Sequence, residues 1–116
     1  MDRPELQGEV RTTYNDLIRI LFRNHMIYKS IADDFSRRPR LGFACFFQQA
    51  SDEQYRRAID LIRLVSRKGW TTEIRYDQDP QPGQSWGQPV TVMIRAERME
   101  KEVFPLTMGC FPGGLL

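Results

Sequence analysis

The sequence predicts an all-α fold, the first three members of a four-helix bundle with one long crossover. Apolar residues recur in steps of three and four over two long stretches, the period of amphipathic helices. A short break, Ser36-Arg37-Arg38-Pro39-Arg40, separates the two. A stretch over 69–86 that includes Asp77-Gln78-Asp79-Pro80-Gln81-Pro82-Gly83 then leads into a third, shorter amphipathic segment.

The first helix is expected over 8–35. Its stripe reads Val10, Tyr14, Leu17, Ile18, Leu21, Tyr28, Ile31, Ala32 and Phe35, with Arg11, Asp16, Arg19, Arg23 and Lys29 largely off it. Pro39 disfavours helix at the residue before it, which places the break. The second helix is expected over 41–68, with Phe43, Phe47, Ala50, Gln54, Ala58, Leu61, Ile62 and Val65 on one face. Ser51-Asp52-Glu53-Gln54 has the form of a capping box. The stripe crosses Ser51 without changing phase, so a continuous helix is the stronger reading. Arg67-Lys68-Gly69 is a C-terminal stop.

The crossover over 69–86 is long enough to run back along a helix, which allows the second and third helices to be parallel. The third helix is expected over 87–104, with Pro89 tolerated in its first turn. Val92, Met93, Ala96, Glu100 and Val103 form its stripe, and Pro105 is expected to stop it. Residues 105–116 contain Gly109, Pro112, Gly113 and Gly114 and read as an unstructured tail. No fourth helix follows, so the bundle reads as truncated after the third. Long one-faced helices owe most of their stability to packing, so an open core face is expected.

Composition narrows the function classes. A chain of 116 residues is one domain. A net charge of +2 and a pI near 8.7 give no case for nucleic acid as a partner. No run reaches the ~18 apolar residues of a membrane span, and the start Met1-Asp2-Arg3-Pro4-Glu5 has no signal-peptide core. Two cysteines, Cys45 and Cys110, read as free thiols of a reducing compartment, the cytoplasm. One histidine and two cysteines are too few for a structural zinc site.

The informative positions are polar residues inside apolar stripes: Gln54, Arg57 one turn on, and Glu100. A core carboxylate is expensive unless it is paired or metal-bound. Glu100 is read first as paired with Arg57 or as lying on an unburied face; the sharper reading is an iron ligand. Bundle-core di-iron sites use Glu and Glu-x-x-His, because residues i and i+3 share a helix face. Here that pair is Gln54 and Arg57, and Arg57 is a permanent cation. His25 reads as a packing or surface residue, and Tyr28 as a core residue with a bonded hydroxyl. Cys45 and Cys110 show no activating histidine. Arg37, Arg38 and Arg40 read as a solvated basic turn.

Over about residues 10–104 the chain resembles a ferritin subunit. The resemblance rests on Tyr28, Ser30 and Phe35 in the first helix, then Phe43-Ala44-Cys45-Phe46-Phe47 and Ser51-Asp52-Glu53-Gln54 with Ala58 and Leu61. Arg67-Lys68-Gly69, Pro80 and Trp86 in the crossover, Met93 and Met99-Glu100-Lys101 follow in order. The resemblance implies a ferritin-like diiron domain over 1–104, iron as its metal, iron storage as its context and other ferritin subunits or further copies as partners. Carried over by position, the first-helix glutamate falls on Leu21, the second on Gln54 and the histidine on Arg57. Glu100, the neighbouring Tyr28 and Glu53, a position linked to iron transfer or nucleation, are retained. The candidate metal residues are therefore Glu100, Glu53 and Gln54, with Tyr28, Arg57 and Leu21 beside them, and any iron binding is expected to be weak or indirect. Further acidic positions fall on Arg56 and Ile59.

These departures point to an inert or modulating storage chain, light-type or degenerate, without its own ferroxidase activity. One alternative is a residual ferroxidase using Glu53, Gln54 and Glu100. Another is a helical interaction module unrelated to iron, whose exposed core face binds another helix.

Overall fold

The structure, a computed structural model, describes residues 4–72 and 85–110, with side chains over 8–72 and 85–103. It contains α1 (Pro4–Ser36), α2 (Leu41–Arg67) and α3 (Pro89–Cys110), and no strand occurs among the described residues. None of these helices is long and apolar enough to cross a membrane.

The two long helices share one packing rhythm. On α1, Tyr14, Leu17, Leu21, Asn24, Tyr28, Ile31 and Phe35 point inward, in alternating steps of three and four. On α2 the buried set is Ala44, Phe47, Ser51, Gln54, Ala58, Leu61 and Val65, with the same alternation. That 3.5-residue repeat keeps a narrow seam facing its partner along the whole length. The helices run antiparallel: Phe35 stacks on Phe43 with centroids 5.5 Å apart, Tyr28 meets Phe47 at 5.7 Å, and Tyr14 meets Trp70 at 6.0 Å.

The α3 helix lies antiparallel on a second side of α1. Arg38 donates to the Gly87 carbonyl at one end (2.8 Å), Tyr28 meets Glu100 in the middle, and Arg23 pairs with Glu102 beyond it. Consequently α2 and α3 are parallel, as a long crossover permits. Each packs on α1, and they meet through Gln54 and Glu100. The apolar core falls into two clusters. One gathers Tyr28, Ile31, Phe35, Phe47, Trp86 and Val92. The other gathers Tyr14, Leu17, Leu21, Ala58, Leu61 and Val103.

Several boundaries depart from the sequence-based expectation. The first helix begins at Pro4 rather than 8, because proline suits the first helical position and Gly8 costs only about 1 kcal/mol inside a helix. The second ends at Arg67, where Gly69 (φ 75°) closes it. There the Gly69 amide donates to Ser66 and the Trp70 amide to Val65, the paired bonds that satisfy terminal carbonyls. The helix passes through Ser51, as the unbroken stripe requires. The third begins at Pro89 rather than 87 and continues past Pro105 to Cys110. Proline removes its own N–H but leaves later amides free to bond. The helix therefore takes in 105–110 of the expected tail, and 111–116 lie outside the described residues, as do 73–84 of the crossover.

The phase of α3 also differs. Val92, Ala96, Met99 and Val103 are buried, whereas Met93 and Glu100 are exposed on the flank that turns toward α2. Both readings obey helical spacing, and only the position of α1 selects the buried one.

Asp34 fastens the end of the crossover. Its nearly buried carboxylate accepts the Trp86 amide (3.0 Å) and pairs with Arg38, while the Trp86 indole donates to Ser30 (3.0 Å). Burial alone would raise the Asp34 carboxyl, but the Trp86 amide, Arg38 and Arg37 outweigh it and hold it below its ordinary value. Asp34→Asn is expected to cost about 1–3 kcal/mol, read as a lower urea midpoint. Because the folded carboxyl titrates below its unfolded counterpart, its contribution is complete above about pH 4 and is lost as pH falls through the folded value. Stability should accordingly fall less steeply below that pH in Asp34→Asn than in the native chain.

Candidate functional site

Between the two apolar clusters lies a belt of polar side chains at the waist of the bundle. Three helices supply it because polar residues occupy inward or flanking positions at one level: Asn24 and Tyr28 on α1, Gln54 on α2 and Glu100 on α3. Asn24 lies one step of three beyond Leu21 and one of four before Tyr28, so it interrupts an otherwise apolar seam.

The belt is a chain of hydrogen bonds. Arg23 donates to Asn24 Oδ1 at 3.1 Å, and Asn24 Nδ2 donates to Gln54 Oε1 at 3.4 Å. Gln54 Nε2 donates to Glu100 Oε1 at 3.3 Å. The Tyr28 hydroxyl donates to the same oxygen at 2.9 Å. Burial pushes the Tyr28 phenol well above its usual pKa, and the Glu100 charge and hydrogen bond push it further, against a smaller opposing effect of Arg57. Tyr28 thus keeps its proton and donates a hydrogen bond, and Glu100 is held by two neutral donors.

Each residue picked out in the sequence has a defined place here. Glu100 lies on an unburied face, one of the two expected placements, and takes Tyr28 and Gln54 rather than Arg57 as partners. Arg57 turns to Glu53 at 3.0 Å, and Arg56 approaches the same carboxylate at 3.4 Å. Glu53 therefore lies on the exposed side of α2, apart from the belt. Leu21 is fully buried in the apolar cluster beside Leu17 and Ala58. The structure brings Tyr28, Gln54 and Glu100 together and leaves Glu53 and Arg57 as a separate ion pair.

That donor set does not fit a resident metal ion. Iron sites need several carboxylate or imidazole donors converging on one point. Among the described residues no three His, Cys, Asp or Glu side chains gather so. Gln54 turns its amide nitrogen to Glu100 while its oxygen accepts from Asn24. Arg57 adds a positive charge nearby.

Two further contacts went unread in the sequence. The buried Ser51 hydroxyl donates to the His25 carbonyl at 2.9 Å, and His25 Nδ1 lies 2.9 Å from the Ser51 carbonyl. With the hydroxyl proton engaged, the imidazole N–H is the donor to that carbonyl. The His25 ring also packs on Tyr55 at 5.2 Å. Asn24 was recoverable by extending the α1 stripe through its polar member. The Ser51–His25 pairing carries no local signal, because its members are distant in sequence.

No protein-family model and no curated protein matches this chain.

The belt makes a spectroscopic prediction. In an alkaline absorbance titration Tyr28 should ionise well above the ordinary tyrosine range. Glu100→Gln removes the carboxylate charge, so the Tyr28 step should move to lower pH. An unmoved step would show that burial alone holds the phenol up.

Proposed function

We propose that the chain is a ferritin-like helical subunit that takes part in cytoplasmic iron storage without oxidising iron itself. The observation that supports this reading is the waist belt. Glu100 and Tyr28 meet at the waist, and the other positions that the ferritin resemblance assigns to metal ligands hold Gln54, Leu21 and Arg57: an amide, a hydrocarbon and a cation. On this reading, hydrogen bonding takes the place of ion coordination at the waist. Iron is then cargo of the assembly rather than a ligand of this chain. The partners are complete ferritin subunits, which the chain modulates by diluting their oxidation sites.

The second reading is a helical interaction module unrelated to iron. The continuous Arg23–Asn24–Gln54–Glu100 chain favours it, since such a network fixes helix register with no ion at all.

The two readings diverge in one assay. The chain is mixed with Fe(II) in aerated buffer, alone and after co-refolding with complete ferritin subunits, and ferric absorbance is followed. The storage reading expects background oxidation by the chain alone and by Glu100→Ala, together with a lower oxidation rate per particle in the mixture. Failure to co-assemble would favour the interaction module. Rapid oxidation lost in Glu100→Ala would overturn both and establish a ferroxidase.

A further inference from the structure

The three helices are not fastened equally. The α1–α2 seam engages buried side chains of α2 from Ala44 to Val65, almost its whole length. The Phe35–Phe43 and Tyr28–Phe47 ring contacts reinforce it, as do the buried Ser51–His25 and Asn24–Gln54 bonds. The α3 helix buries Val92, Ala96, Met99 and Val103 and leaves Val90, Met93 and Ile94 exposed. A groove of about 580 Å³, lined by Phe46, Met93 and Ile94 among others, runs between its flank and α2. The Gln54–Glu100 bond, 3.3 Å long, is where the two meet. A helix owes most of its stability to packing, and α3 packs along one side only.

Polar ties strengthen α3 at the end where it begins. The Asp34 carboxylate accepts the Trp86 amide at 3.0 Å, the Trp86 indole donates to Ser30 at 3.0 Å, and Arg38 donates to the Gly87 carbonyl at 2.8 Å. The Arg95 guanidinium, on α3 itself, lies 4.7 Å from the centroid of the Trp86 ring. Buried Trp86 is thus the root of the helix, clasped from α1 and α3 at once. Farther along, the ties thin out. Tyr28 meets Glu100 at 2.9 Å, and Arg23 pairs with Glu102 at 2.7 Å between partly exposed side chains, an ion pair of small worth.

We propose that α3 is an arm that undocks as one unit from a still-folded α1–α2 hairpin, with the Trp86 clasp setting how often it does so. Proteins open in contiguous units of unequal stability, and the unit with the fewest buried contacts opens first. Undocking uncovers the second apolar side of α1, around Ile27 and Ala32, and parts Glu100 from Tyr28. The arm is therefore an internal cover for α1 and for the waist belt. This device requires no role in iron storage.

Native-state hydrogen exchange on the whole chain, read helix by helix, tests it. In the native chain, amides over 92–102 of α3 should be at least about tenfold less protected than the slowest amides of α2. Two substitutions then separate arm from hairpin. Ser30→Ala removes one bond of the clasp and should lower α3 protection about two- to tenfold. Ala58→Gly weakens α2 at a site buried beside Leu17 and Leu21, and should lower α2 protection about fivefold. It burdens the docked and undocked states alike, so α3 protection should hold within about twofold. Equal protection of α2 and α3 in the native chain would overturn the proposal, since the three helices would then unfold together. An equal fall in both helices with Ala58→Gly would do the same, as would unchanged α3 protection in Ser30→Ala.

Discussion

The architecture depends on α1 having two apolar sides. Tyr14, Leu17, Leu21, Tyr28, Ile31 and Phe35 make a seam for α2, while Ile27, Ala32 and their neighbours widen the apolar face enough for a second helix. A helix with one narrow stripe pairs with one partner; a wider stripe can hold two. Both smaller helices therefore take position from α1, and their contact with each other is secondary. The parallel course of α2 and α3, the groove between them and the convergence of three helices at the waist all follow from this arrangement.

The waist belt adds register to that scaffold. Hydrocarbon seams with a 3.5-residue repeat tolerate sliding by a whole heptad, because each step presents similar residues to the partner. Asn24 opposite Gln54, with Ser51 on His25 one turn away, discriminates among such slides. Displacing α2 would leave several buried polar atoms unpaired, at about 1–3 kcal/mol each. The same belt sits between the two apolar clusters, so the molecule is apolar toward both ends and polar at its middle.

Much of this was legible in the sequence. Repeating steps of three and four located all three helices, Pro39 located the corner, and Gly69 located the end of α2. The length of the crossover anticipated two parallel helices. What escaped has a common physical cause: it depends on pairs far apart in the chain. Asp34 carries no local sign that it will hold the Trp86 amide. Spacing places Glu100 and Met99 equally well, and only the location of α1 shows that Met99 goes inward. Pro105 does not end α3, because a proline removes one donor without forbidding the turns beyond it. At the candidate site, Tyr28, Gln54 and Glu100 stand out in the sequence, while Asn24 does not, because no charge or motif marks it within the α1 stripe. The association of Arg57 with Glu53 rather than Glu100 is decided by side-chain reach along one helix face, one turn apart.

The Asp34–Trp86 fastening has a kinetic meaning as well. The crossover joins helices that start at the same end of the bundle, so it must return along the full length of α2 before α3 can dock. Closing such a loop costs entropy that rises only slowly with its length. Once the loop is closed, α3 faces α1 at an effective concentration set by the length of their covalent connection. A single proteolytic nick in the crossover would turn α3 into a dissociable ligand of the α1–α2 hairpin. Its retention would then depend on dilution, with Trp86 and Arg38 acting as a latch on the released end.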